Sequence, residues 1–157
     1  MYKPTYDLFQ PSLKDGRNKT KSFDINRFFL VAFFGGTIPM MVLATRNAKW
    51  LNVPKQQTCL LLAASVLVLL TQVVIIYMYA DGVFSEGNWI PRYSMQFLSI
   101  LLFLLYKYVL NKPFQQHLLT NGELKPLFKP ALLWIVIGGI IQLAIIVTAF
   151  TLTARVG

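Results

Sequence analysis

The chain has 157 residues, 55% hydrophobic and 13% charged, with mean hydropathy +0.54, whereas a soluble domain usually carries about 25% charged residues. That balance weighs against a soluble core and predicts an all-α integral membrane protein, a bundle of four hydrophobic helical segments. The 15 Lys and Arg against 6 Asp and Glu give a net charge of +9, but the bases are scattered between apolar runs instead of forming one aromatic-interleaved stripe, which disfavours nucleic acid and points to a bilayer with anionic headgroups.

Residues 1–27 form a polar, basic tail punctuated by Pro4, Pro11 and Gly16, a composition expected to be flexible or to lie on a surface. A long polar stretch ahead of the first apolar run, with no small-x-small pattern after it, argues against a cleaved signal peptide. Asn18-Lys19-Thr20 matches a glycosylation acceptor, for which chance occurrence is the plainer reading. The remainder, 28–157, reads as one transmembrane helical domain.

The first apolar run, 28–45, is charge-free between Arg27 and Arg46. At ~1.5 Å per residue it is about the shortest helix able to span a ~30 Å core. Within it Pro39 has no N–H to give the carbonyl of Gly35, and Gly35 and Gly36 favour bending, so regular helix should be interrupted here. The segment is therefore expected to be kinked or re-entrant. The FFGGTIP run, the aliphatic stretch after it and RNAKWL, together residues 33–51, resemble the first segment of small multi-spanning bacterial membrane proteins, in which an aromatic-Gly-Gly-Pro run leads to an Asn, a basic residue and a leucine. The resemblance implies a polytopic protein of a bacterial cytoplasmic (inner) membrane and brings no activity with it.

The second run, 58–80, has 23 residues without a charge, long enough to span with some tilt. Thr58, Ser65, Gln72 and Tyr79 recur every seven residues and share one face, which in lipid should turn toward other helices. Cys59, the single cysteine, excludes an intrachain disulfide and is expected as a small buried hydrophobe. After a connection containing the turn signals Asp81-Gly82 and Gly87-Asn88, the third run, 93–110, carries Gln96 on a face with Ile100, Phe103 and Lys107. Lys107 is near enough to the segment end to extend its ammonium to the headgroups.

Residues 111–131 are amphipathic and proline-punctuated, opening at Lys112-Pro113, with a turn at Asn121-Gly122, and Pro126 and Pro130 should limit any long helix there. Phe114, Leu118 and Leu119 are expected on the membrane surface, with Lys112, Lys125 and Lys129 against lipid phosphates. His117, the only histidine, has no second histidine or cysteine nearby and reads as a solvated loop residue, so neither a metal nor a cofactor is expected. The fourth run, 132–153, places Gly138, Gln142, Ile145, Ala149 and Thr153 along one side, combining close backbone approach with one amide able to bond across a helix contact. Trp50, Trp89 and Trp134 sit near segment ends, where indole rings prefer the interface.

If all four segments cross, Lys3, Lys14, Arg17, Lys19, Lys21, Arg27, Arg92 and Arg155 face one side and Arg46, Lys49, Lys55, Lys107, Lys112, Lys125 and Lys129 the other, eight against seven. If the first segment dips in and returns, the division is thirteen against two, with only Arg92 and Arg155 opposite. Charge bias thus favours re-entry, while lipid's intolerance of exposed non-helical backbone, with arms of only about seven residues, opposes it. No Asp, Glu or His lies inside an apolar run, so intramembrane acid–base chemistry lacks its residues and no enzyme is expected. The reading is an accessory, assembly or regulatory membrane subunit that works by helix packing with a membrane protein partner or a second copy, through Thr58, Ser65, Gln72, Gln96, Gly138 and Gln142. The alternative is a small oligomeric channel or transporter with those polar groups along a path.

Overall fold

A computed structural model describes residues 21–84, 89–119 and 122–156. Most of the tail, including Asn18-Lys19-Thr20, the Gly87-Asn88 turn and Asn121 lie outside them. The chain enters through a short strand β1 (Lys21–Phe23) and a 3-10 turn (Ile25–Arg27), and continues as α1 (Phe28–Gly35) and α2 (Thr37–Trp50). Three long helices follow: α3 (Lys55–Ala80), α4 (Ile90–Leu119) and, after strand β2 (Glu123–Lys125), α5 (Phe128–Val156). All three are long and apolar enough to cross a membrane by length and composition.

The first apolar segment is two helices. α1 ends where Gly36 takes φ 76° and ψ −157°, a combination essentially confined to glycine. Pro39 does not break anything, because it falls in the first turn of the new helix, where its missing N–H would have had no intrahelical partner. The two ends of the segment then meet. Phe23 N donates to Asn47 Oδ1 at 2.7 Å, and the Phe23 ring lies 4.8 Å from that of Trp50. A continuous helix would hold residues 23 and 47 ~36 Å apart, so α1 and α2 form a hairpin with its open end at β1 and its tip at Gly36. Its arms have 8 and 14 residues, against the seven or so expected for each.

β1 pairs in parallel with β2, Lys21 opposite Glu123 and Phe23 opposite Lys125. Parallel neighbours need a long crossover, here supplied by everything from α1 to α4. This end of the molecule, the base, therefore gathers the end of α2, the starts of α3 and α5 and the end of α4. The strand pair departs from the all-α expectation: three-residue strands joined across the whole chain leave no periodic signal.

α4 runs nine residues past its expected end at Leu110, with Pro113 inside it. The extension persists because its inner face is packed: Leu110, Phe114 and His117 are buried. His117 is thus a buried helical residue, and Phe114 belongs to the core instead of the membrane surface. α5 likewise starts before its expected residue 132, at Phe128, with Pro130 tolerated in the first turn. The core fills the base half, where Met40, Leu43, Leu61, Leu102, Tyr106 and Leu110 are fully enclosed. Beyond the hairpin tip, among the described residues, the three long helices bury little except Ile76 and Ala149. Cys59 is exposed, not buried, on the outward side of α3.

Candidate functional site

The hairpin tip is held by side chains from α3, α4 and α5. Thr37 Oγ1 lies 3.0 Å from Ser99 Oγ, and Gln72 Nε2 donates to the Met95 carbonyl at 3.0 Å and to Ser99 Oγ at 3.3 Å. Gln96 Nε2 donates to the Phe33 carbonyl at 3.3 Å, occupying an acceptor that the end of α1 leaves free. Gln142 makes a weaker contact, Nε2 to Met95 Sδ at 3.7 Å. Because backbone carbonyls only accept, they fix which way the Gln72 and Gln96 amides point.

Small residues let α5 reach the tip. A Cβ on Gly138 would stand 2.8 Å from Pro39 Cδ, and one on Gly35 would stand 2.7 Å from Ile135 Cγ1, so either methyl would force the helices apart. The tip opens on a cavity of about 330 Å³ lined by the end of α1, by Gln72, by Met95, Gln96 and Ser99, and by Ile135, Gly139 and Gln142. No donor reaches the carbonyl oxygens of Gln72 and Gln96 among the described residues. The lining thus supplies neutral oxygen acceptors with no ionic group. Gln72 is about two-thirds of the way along α3 from the base and Met95 lies near the start of α4, which puts the cavity in the half of the bundle away from the base.

A second polar cluster lies nearer the base. Tyr106 OH sits 3.1 Å from Thr45 Oγ1 and 3.0 Å from Ser65 Oγ, tying α2, α3 and α4 together, and Ser65 also donates to the carbonyl of Leu61 at 2.8 Å. Around it Leu43, Leu61 and Leu102 are enclosed. A third polar contact closes the hairpin at the base, where Asn47, fully enclosed, accepts from Phe23 N and lies 3.1 Å from Ser22 Oγ.

Of the residues singled out in the sequence, the fold brings Gly35, Gly36, Pro39, Gln72, Gln96, Gly138 and Gln142 together at the tip. It places Ser65 in the Tyr106 cluster. Thr58 does not join them: one turn into α3, it bonds back to the Pro54 carbonyl at 3.3 Å, and Tyr79 meets Phe150 edge-on near the far end. Sequence reasoning missed Thr37, Thr45, Asn47, Ser99 and Tyr106. Thr37, Thr45, Ser99 and Tyr106 are isolated polar residues in apolar runs, and in lipid each needs a partner; that was the available signal. Among the described residues no group of three metal-ligating side chains occurs. No family model matches the chain, and no curated protein or solved structure is significantly similar to it.

Proposed function

We propose that the chain is an accessory, assembly or regulatory subunit of a membrane complex, non-catalytic, seated in a bacterial inner membrane with α1 and α2 as a re-entrant hairpin. The observation that carries the reading is the use of the buried polar groups. Ser65, Gln72, Thr37, Thr45 and Tyr106, with half-buried Gln96, bond to one another or to backbone within the chain, and Leu43, Leu61 and Leu102 are enclosed in the same bundle. Such a seam ties helices to one another, as interhelical bonds between neutral polar groups do in membrane bundles. The partner surface is then the outward face of the long helices, where Leu133, Ile140, Leu143 and Val147 of α5 are exposed.

Re-entry is supported by the contact of β1 with the end of α2 and by charge. With the hairpin turning back, the chain order divides the basic residues thirteen against two, with Arg92 and Arg155 alone on the far side, and the positive-inside rule then turns the base to the cytoplasm. Against the objection from exposed backbone, the Phe33 carbonyl at the tip receives Gln96.

A second reading, a small oligomeric channel or transporter, is favoured by one observation: a broken helix opening on a polar cavity deep in the bundle is a usual arrangement for solute binding in carriers. Purification of the tagged chain from native membranes separates the two. A stoichiometric membrane protein partner, with no solute flux from the purified chain in vesicles, is the expected result. Flux that Gln72→Leu abolishes in a folded protein contradicts it.

A further inference from the structure

A groove of about 690 Å³ runs between α3 and α4 on the base side, lined among others by Gln57, Leu60, Leu104, Lys107, Asn111 and Lys112. Its two ends differ in chemistry. Toward the base lie two ammonium groups and two amides, with the lysine Cα atoms ~7.5 Å apart along the helix axis. Deeper in, Leu60 and Leu104 turn outward, 63% and 51% exposed. The ammonium of half-buried Lys107 stands over the Phe103 ring, with Nζ 5.8 Å from the ring centre. The ion pair found among the described residues joins Arg27 to Asp24, so no carboxylate neutralises either lysine there.

We infer that this groove is a binding site for one anionic phospholipid, its phosphate between Lys107 and Lys112 and an acyl chain along Leu60 and Leu104. Two uncompensated cations above an apolar wall match a molecule with an anionic head and a hydrocarbon tail. A soluble phosphate would use the lysines and leave the leucine wall empty. The site depends only on the three long helices lying in a bilayer and is separate from the tip cavity and from the subunit reading.

The test is native mass spectrometry of the full chain, released from phosphatidylcholine discs with or without phosphatidylglycerol. Each lysine near a headgroup favours an anionic lipid roughly fivefold, so the wild type should retain one phosphatidylglycerol over phosphatidylcholine by roughly ten- to thirtyfold. The preference should vanish in K107Q/K112Q and persist in K107R/K112R and in K125Q/K129Q, which removes the same charge elsewhere on the base. Absence of preference in the wild type overturns the site, whether or not the glutamine variant folds. Equal loss in both glutamine pairs shows a general basic rim and overturns it too. Binding of glycerol phosphate as tightly as the lipid, by titration calorimetry, identifies a soluble-phosphate site instead.

Discussion

Gly36 and Gly138 are both required to be glycine, for different physical reasons, and the difference can be measured. At Gly36 there is room for a methyl, since the nearest atoms to an added Cβ are Gln142 Oε1 at 3.7 Å and Ser99 Oγ at 3.9 Å. The obstacle is φ 76° with ψ −157°. Gly36→Ala should therefore cost about 1–3 kcal/mol in backbone strain, read as a lower unfolding midpoint in detergent. Gly138 sits inside α5, where alanine would gain up to about 1 kcal/mol of helix propensity, but its Cβ would meet the Pro39 ring at 2.8 Å. Gly138→Ala should destabilise the wild type and become neutral or stabilising in a Pro39→Ala background, a change of sign that a double-mutant cycle detects. No such sign change would mean that α5 does not rest on Pro39. Tyr106→Phe removes the hydroxyl that faces both Thr45 and Ser65, and a loss of about 1 kcal/mol is expected for the interhelical bonds.

The hairpin, as an element, depends on its closure at the base. Asn47→Leu keeps the volume but deprives the Phe23 N–H of its acceptor, while the Ser22 hydroxyl keeps the Phe23 carbonyl at 2.9 Å. A buried donor left unpaired costs about 1–3 kcal/mol, so Ser22 and Phe23 should lose hydrogen-exchange protection while α3 and α5 keep theirs. Uniform loss would show instead that the hairpin and the long helices open as one unit. α3 and α5 were legible in the sequence because charge exclusion over twenty residues is a local signal with a length threshold, and α4 because its apolar run carries a single lysine near the end. An interruption was legible because Gly35, Gly36 and Pro39 each disfavour continuous helix for a local reason. Which residue turns the chain was not, since Pro39 proves to be an N-terminal helix residue and the reversal belongs to Gly36. Nor were the β1–β2 pair or the helix through Pro113. These depend on contacts between residues about a hundred positions apart, or on packing of Phe114 and His117 against the core, and neither leaves a mark on neighbouring positions. The tip site was half legible: its glutamines stood out as polar residues among apolar ones, while Ser99 and Thr37, equally polar but smaller, did not.

At the scale of the whole molecule, the hairpin decides which groups share a side. With α1 and α2 doubled back, the base carries both strands, the α2–α3 connection and the α4–α5 connection, and the far side keeps the Asp81 turn and the end of α5. The thirteen-to-two division of basic residues follows from that one reversal, and it would vanish into eight against seven if the segment crossed. Packing and charge, which are independent quantities, thus favour the same topology. The direct measurement is labelling of single cysteines by an impermeant thiol reagent in sealed membranes, in a Cys59→Ser background. Lys21→Cys and Lys49→Cys flank the hairpin at exposed positions, and Asp81→Cys marks the far turn. The account predicts that Lys21→Cys and Lys49→Cys label from one face and Asp81→Cys from the other; labelling of Lys21→Cys and Lys49→Cys from opposite faces would contradict it.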